Sequence, residues 1–308
     1  MKNYIVKIAA GIVVFNPDSE ERLKKNIDSV LKQVDKVYVF DNSTKQYKYK
    51  FPDTVEYMTL NQNKGIAYGM NRIMEAAQKD GFDWVVTMDQ DSILPEGIIK
   101  GYTREIIQNG NIAIVCPQVI DVRRAYMEIN KELKKEYVDF CITSASCTSI
   151  KAWKDVGKFD EWLFIDLVDN DFCKRLTIAG YKILRLNEFV LNQEFGRIIP
   201  KSVKKQKFWI GLSKIFHNQN IAKFSYYKFV SPMRVYYTNR NIIYVNRKLK
   251  QYGSVGYREN YNCKGYFGFL LCFCVPSLLR AQDKRAVLKA ILNGIRDGRK
   301  KKVKQWMY

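Results

Sequence analysis

The stretch Trp84-Val85-Val86-Thr87-Met88-Asp89-Gln90-Asp91-Ser92 decides how the rest of the chain is read. A short apolar, partly β-branched run leads into two carboxylates one residue apart. Such a run predicts a strand buried on both faces, spanning Phe82 to Asp91. The chain would leave the sheet at its carboxyl end, where open α/β sheets bind ligands. Asp89 and Asp91 share strand parity, so both can point into one crevice. Hard oxygen donors there suit Mg²⁺ or Mn²⁺, and such a metal commonly carries a substrate diphosphate. The plainer alternative is that an Asp and a Ser cap the helix that follows Leu94-Pro95-Glu96. Asp-x-Asp is a short pattern, and it recurs at Asp169 and Asp171.

Upstream, Ile5 to Phe15 predicts a first strand, broken at Asn16-Pro17. Leu23, Ile27, Val30 and Leu31 mark one face of a helix over Glu20 to Gln33. Val37 to Phe40 predicts a second strand, and the strand–helix–strand unit implies a parallel pair with a right-handed crossover. Asp41, at that strand's carboxyl end, could accept from a base or sugar, or simply close an Asx turn. Val55 to Leu60 predicts a third strand. Asn63-Lys64-Gly65 then opens a helix through Ala77. Gly65 there permits a close backbone approach to an anion, or a plain turn.

Downstream, Ile112 to Pro117 predicts a fifth strand, and the charged residues 121–138 an exposed excursion. Asp139 to Ile150 returns as a strand of small residues. Ser144 and Ser146 would leave room beside the sheet for substrate, or merely pack. The second acidic cluster is Asp166, Asp169 and Asp171, ahead of a helix that stops at Gly180. Its acids would either sit favourably on the helix dipole or supply a general base. Tyr181 to Val190 predicts a last pair of short strands.

Charge divides the chain. The whole carries +21. Residues 1–196 hold 27 Lys/Arg and 28 Asp/Glu, a net of −1; residues 197–308 hold 25 Lys/Arg against Glu259, Asp283 and Asp297, a net of +22. The expected organisation is an α/β domain over 1–200 and a basic, aromatic, mainly helical region over 201–308, suited to a polyanion or an anionic membrane surface. The longest apolar run, Tyr266 to Leu279, is interrupted by Pro276 and falls short of the roughly 20 residues a bilayer span needs. Met1 to Tyr4 lead straight into a strand, so no signal peptide is expected. Seven Cys without a Cys-x-x-Cys pair, and one His, argue against zinc and for reduced thiols in a cytosolic protein.

Taken in order, these motifs resemble the inverting GT-A glycosyltransferases of family 2, in their bacterial rhamnosyltransferase branch. The carrying residues are Val14-Phe15-Asn16-Pro17, Val39-Phe40-Asp41-Asn42-Ser43, Asn63-Lys64-Gly65-Ile66-Ala67, Met88-Asp89-Gln90-Asp91-Ser92 and Leu163 to Cys173. Ser231-Pro232 and Arg240-Asn241 also fit, and the resemblance covers about residues 8–250.

It implies a Rossmann-like mixed sheet flanked by helices. Phe15, Asn16 and Asp41 would hold the nucleotide base and sugar, with Asn63 to Gly65 along the nucleotide. Asp89 would lie near its sugar and Asp91 on the metal, Mg²⁺ or Mn²⁺. Asp169 matches the family's catalytic base, with Asp166 its rival. Asp171, Ser144, Ser146, Gln193 and Arg240 would line the donor or acceptor pocket. Gln193 stands where the family often has a metal-assisting His. The implied donor is a nucleotide-sugar, dTDP-L-rhamnose, and the acceptor a lipid-linked or cell-surface glycan. The implied place is the cytoplasmic face of the plasma membrane. No nucleic acid is implied, and a homodimer stays open. Two other classes compete: a nucleotidyltransferase that makes a nucleotide-sugar, and a non-catalytic binder of polyanions or membranes.

Overall fold

In the computed structural model, residues 6–44 and 50–308 are described. Ile5 and the N-terminal residues expected to carry no leader lie outside them. The chain forms two units. One holds the residues up to Val119 with Ile129–Phe164 and Phe172–Asn192; the other holds Ile120–Glu128, Ile165–Asp171 and Gln193–Tyr308.

The first unit is built on an eight-stranded sheet. Its elements in chain order are β1 (Ile8–Val14), α1 (Glu20–Leu31), β2 (Val37–Asp41), β3 (Val55–Thr59), α2 (Ile66–Lys79), β4 (Trp84–Asp89), α3 (Ile98–Gln108), β5 (Ile112–Ile120), β6 (Lys135–Val138), β7 (Ser146–Ser149), α4 (Ile150–Asp155), α5 (Val168–Ile178, whose first residues, through Asp171, count with the other unit) and β8 (Lys182–Asn192). The strand order is β3-β2-β1-β4-β7-β5-β8-β6. β1 pairs in parallel with β2 and β4, and β2 with β3; β7 runs antiparallel to β4 and β5, and β6 to β8. The sheet is therefore the mixed, helix-flanked one that the resemblance implies.

Burial explains the parallel half. Every residue of β2 is buried, as are the first five of β4, because helices cover both faces. α1 turns Leu23, Asn26, Ile27 and Val30 inward, and Ser19 caps it by accepting from the Arg22 amide.

Two expectations change in the antiparallel half. The small-residue stretch 139–150 forms a strand only over β7. Ala145, with φ of 57°, breaks the extension before it. Residues 181–190 form the single strand β8 rather than two, because β6 from the charged excursion pairs along it at the sheet edge.

The second unit continues with β9 (Ile198–Pro200), α6 (Val203–Ile215), α7 (Gln219–Ala222), β10 (Tyr226–Lys228), α8 (Pro232–Lys248), α9 (Tyr257–Tyr261), α10 (Gly265–Phe269), α11 (Val275–Arg280) and α12 (Lys284–Lys300). β9 and β10 form a two-stranded antiparallel ribbon. A π-helical turn at Leu270–Cys274 joins α10 to α11. α12 lies closely on α8 because Gly294 and Gly298 have no side chains. A Cβ on Gly294 would sit 2.5 Å from the Tyr236 carbonyl oxygen, and one on Gly298 2.6 Å from that of Arg240.

Among the described residues, one stretch, Tyr257–Arg280, is long and apolar enough to cross a membrane by length and composition, with mean hydropathy 1.3 and only 11% of its most apolar window buried. The backbone interrupts it, since Asn262 (φ 47°) and Gly265 (φ 61°) are left-handed. The unbroken part, residues 265–280, rises about 24 Å, less than the roughly 30 Å hydrocarbon layer.

Candidate active site

The carboxyl ends of four parallel strands bring the first group of predicted residues to one sheet edge. Val13 pairs with Asp89, Val14 with Asp41, and Asp41 with Thr59, so the strands end nearly level. Phe15 and Asn16 follow β1, Asn63 to Gly65 follow β3, and Gln90 and Asp91 follow β4.

Gln90 joins two of these ends. The Phe15 amide donates to Gln90 Oε1 at 2.7 Å, and Gln90 Nε2 donates to the Phe15 carbonyl at 3.3 Å. Asn16 has φ of 38°, in the left-handed region that Asn tolerates better than most residues. Its amide donates to Ser43 Oγ at 2.7 Å. Its side-chain Oδ1 is buried, with no hydrogen-bond partner among the described residues. A buried acceptor without a donor is costly, so this atom asks for a ligand.

Asp41 is buried and engaged. Oδ1 accepts from the Ser43 amide at 2.7 Å, which closes an Asx turn, and Oδ2 accepts from the Tyr57 hydroxyl at 2.7 Å. Burial first, then this contact, hold the Tyr57 phenol above its ordinary range. A carboxylate has lone pairs beyond these two, so Asp41 can still accept from a sugar hydroxyl.

Asn42 ties β2 to the next loop: it donates to the Gly65 carbonyl at 3.0 Å and accepts from the Lys64 amide at 3.1 Å. Asn63 Oδ1 accepts from the Gly65 amide at 2.9 Å. Gly65 has φ of +90°, and a Cβ there would lie 2.6 Å from the Phe164 carbonyl oxygen. That same oxygen accepts from the Ile66 amide at 2.8 Å, so α2 starts against it.

β4 ends at Asp89, and Gln90 and Asp91 lie in a turn. Strand parity therefore governs Asp89 but not Asp91, because the pleat has ended before it. The turn is held from α1. Arg22 Nε donates to the Asp91 carbonyl at 3.0 Å, and its guanidinium stands 3.9 Å from the Asp91 carboxylate, both half-exposed. Asn26 Nδ2 donates to the carbonyls of Asp89, at 2.9 Å, and Ser92.

No group of three His, Cys, Asp or Glu able to hold a metal occurs among the described residues. Two carboxylates fit a cation of the Mg²⁺ type, which takes one or two acids and fills its shell with phosphate oxygens and water. Ser144 and Ser146 are both 1% exposed. Ser144 Oγ accepts from the Asp89 amide at 3.3 Å, and Ser146 Oγ donates to the Ile142 carbonyl at 2.5 Å. A groove of about 360 Å³ between β3 and α2 is lined by Phe40, Met58, Leu60, Tyr68, Arg72 and Lys79, and holds none of the predicted site residues.

The second group belongs to the other unit. Asp166 and Leu167 are consecutive left-handed residues, with φ of 68° and 63°. For a bulky residue such as Leu167 this is a strained conformation, of a kind that collects at functional sites. Asn241 holds it, donating to the carbonyls of Ile165 at 2.8 Å and Asp166 at 2.9 Å. Arg234 clamps the Asp166 carboxylate with two nitrogens, at 2.9 and 2.5 Å, and the Thr238 hydroxyl adds a third contact at 3.3 Å.

Asp171 is fully buried and takes the Lys248 ammonium at 2.8 Å. Asp169, between them, is half-buried in the first turn of α5. Gln193 is buried, and its amide donates to the Ile120 carbonyl at 2.8 Å. Arg240 lies over the Tyr237 ring at 4.7 Å, and burial lowers its pKa.

Sequence reasoning gave no role to Asn26, Asn42, Gln90 or Arg234. Asn42 and Gln90 stand inside the quoted motifs, and Asn26 left a signal as a polar residue on the inward stripe of Leu23, Ile27 and Val30.

Comparison with known proteins follows the same residues. Residues 10–152 match the model of Glycosyl transferase family 2. A dTDP-rhamnosyl transferase RfbF from Shigella flexneri is 27% identical over 263 residues, covering 78% of this chain and 80% of that protein. Among solved structures, S. aureus TarS superposes with a TM-score of 0.51 at 14% identity over 95% of this chain, and GalNAc-T7 with UDP, GalNAc and Mn²⁺ with 0.50 at 10% identity over 89%. The chain spans 55% and 57% of the lengths of those two structures, and the likeness to them is one of fold. Its ordered motifs, its mixed sheet and the match over residues 10–152 make the chain similar to glycosyl transferase family 2 over that stretch.

Proposed function

We propose that this glycosyltransferase moves L-rhamnose from dTDP-L-rhamnose to a hydroxyl of a lipid-linked or cell-surface glycan, with inversion, in one displacement. The observation that carries the donor reading is the RfbF likeness, which covers 78% of this chain and 80% of that protein. The orphan acceptor Asn16 Oδ1 supports it, because a thymine ring offers an N3–H donor. Asp41 would take the 3′-hydroxyl of the deoxyribose.

Asp89 and Asp91 would hold Mg²⁺ or Mn²⁺, which when bound would neutralise charge on the departing diphosphate. Asp169 is the proposed base, taking the acceptor proton as its oxygen attacks the anomeric carbon. Asp166 and Asp171 each serve an ion pair within their unit, and Asp169 is the residue that matches the family's base. Arg234, on this reading, positions the strained turn before α5 rather than touching substrate.

The basic unit would rest on an anionic membrane surface. Phe267, Leu271, Val275 and Leu279 recur every fourth residue and are 74, 53, 45 and 71% exposed. Charge complementarity argues for a lipid occupant: residues 197–308 carry a net of +22.

The test is a donor panel by thermal shift, with dTDP-, UDP- and GDP-sugars, each with and without Mn²⁺, followed by turnover. Stabilisation by dTDP-sugars and release of dTDP are expected. Release of pyrophosphate from dTTP and a sugar phosphate would instead make the chain a nucleotidyltransferase.

A further inference from the structure

Helix α1 carries a line of polar side chains to which the proposed transfer assigns nothing. Arg22, Asn26 and Ser29 stand at i, i+4 and i+7 and so share a face. Gln33, two residues past the helix end, continues the line. All four reach the backbone of residues 89–95. Arg22 Nε donates to the Asp91 carbonyl at 3.0 Å, and Gln33 Nε2 to that of Pro95 at 3.0 Å. Asn26 Nδ2 donates to the carbonyls of Asp89, at 2.9 Å, and Ser92. Ser29 Oγ accepts from the Leu94 amide at 3.0 Å. Residues 90–97 form neither strand nor helix, so these side chains supply bonds that regular structure would otherwise provide.

Asn26 is the member that brackets the acids, with Asp89 at one end of its reach and Ser92 at the other. It is fully buried, 0% exposed. Its Oδ1 is buried with no hydrogen-bond partner among the described residues. Turning the amide over would aim that oxygen at two carbonyls, so repulsion fixes which way it faces. A buried acceptor without a donor is costly. The chain bears that cost where the amide hydrogens tie together the two ends of the turn that carries Asp91. Gln33 repeats the chemistry, with a donated bond and a buried Oε1 lacking a partner among the described residues, but it holds Pro95, away from the acids.

The rest of the turn is fixed as well. The Asp89 amide donates to Ser144 Oγ at 3.3 Å, and the Gln90 side chain is bonded to the Phe15 backbone. A cation of the Mg²⁺ type demands near-octahedral geometry and tolerates little play in its carboxylates.

We propose that Asn26 is a positioning residue for the cation site: by bracketing the turn it holds Asp89 and Asp91 in cation-binding geometry before the donor arrives. The cation at these acids rests on the transfer reading above.

Mn²⁺ titration of the dTDP-bound protein, followed by the paramagnetic resonance of free Mn²⁺, tests this. Asn26→Leu should weaken Mn²⁺ binding about 10- to 100-fold, the range for residues that orient metal ligands, and leave metal-free dTDP affinity unchanged. Asn26→Ser, which keeps a hydroxyl donor, should fall between. Gln33→Leu should bind Mn²⁺ as the wild type does, although it loses a bond of the same kind.

Wild-type Mn²⁺ affinity in Asn26→Leu overturns the assignment. An equal loss in Gln33→Leu also overturns it, because the effect is then a general loosening of residues 89–95. If Asn26→Leu fails to fold, shown by lost dTDP binding, Asn26→Ser decides: reduced Mn²⁺ affinity supports the role and wild-type affinity overturns it. Asp91→Asn separates the two readings. Should it keep wild-type Mn²⁺ affinity, the cation reading falls and the role of Asn26 with it. Should it lose Mn²⁺ while Asn26→Leu does not, the role of Asn26 alone falls.

Discussion

Asp166, Asp169 and Asp171 share one short segment and have three different surroundings. Asp166 is gripped by Arg234, Asp171 by Lys248, and Asp169 stands half-buried on the first turn of α5. Asp169→Asn should lower kcat by about 10²–10⁴-fold, the contribution of a general base, with donor affinity and melting temperature nearly unchanged. Asp166→Asn should instead lower the melting temperature, because Arg234 loses a charged partner at a strained turn. If Asp166→Asn abolishes transfer in a folded protein while Asp169→Asn spares it, the assignment reverses. The acids themselves were legible in the sequence, because their types and order carry the family pattern. Their partners were not. Arg234 lies 68 positions from Asp166, and Tyr57 reaches Asp41 only because β2 and β3 pair. Such contacts depend on register and helix placement, which spacing along the chain does not encode.

Among the elements, the parallel half of the sheet could be read in advance because buried strands are continuous apolar runs between amphipathic helices. The antiparallel half could not. β6 is four residues of mixed character, and β7 follows a left-handed Ala145, so neither carries a clean alternation. Close backbone approach is likewise invisible until elements meet. Gly65→Val should be severely destabilising, for it forces a β-branched residue into a left-handed conformation and into the Phe164 carbonyl. Gly298→Leu should lower stability by prising α12 from the Arg240 carbonyl of α8. Chemical denaturation of the two variants reads both effects. If either variant unfolds at the wild-type denaturant midpoint, the packing described for it is wrong.

The chain taken entire is electrically lopsided, and two bulk measurements follow. Phe267→Asp with Leu271→Asp should abolish sedimentation with phosphatidylglycerol vesicles at low salt, while soluble turnover persists. Equal sedimentation of the double variant would refute the apolar stripe as the lipid contact. Stability should also depend on pH through Lys228. Its folded pKa, about 8, lies below the 10.5 of the ordinary side chain, so the unfolded chain binds more protons between these values. The unfolding free energy should therefore rise as pH increases from 8 toward 10. The raised Tyr226 phenol acts in the opposite sense only above its ordinary pKa near 10. In Lys228→Met the slope should flatten, as equilibrium urea titrations at several pH values would show.

Asn16 answers two demands at once: a backbone turned the left-handed way, and a buried side-chain oxygen left without a donor among the described residues. Glycine would meet the first demand and fail the second, so Asn16→Gly should leave the architecture intact while discrimination among pyrimidine and purine donors fades. Selectivity for the nucleobase would then reside in a single oxygen atom, separable by mutation from the scaffold that presents it.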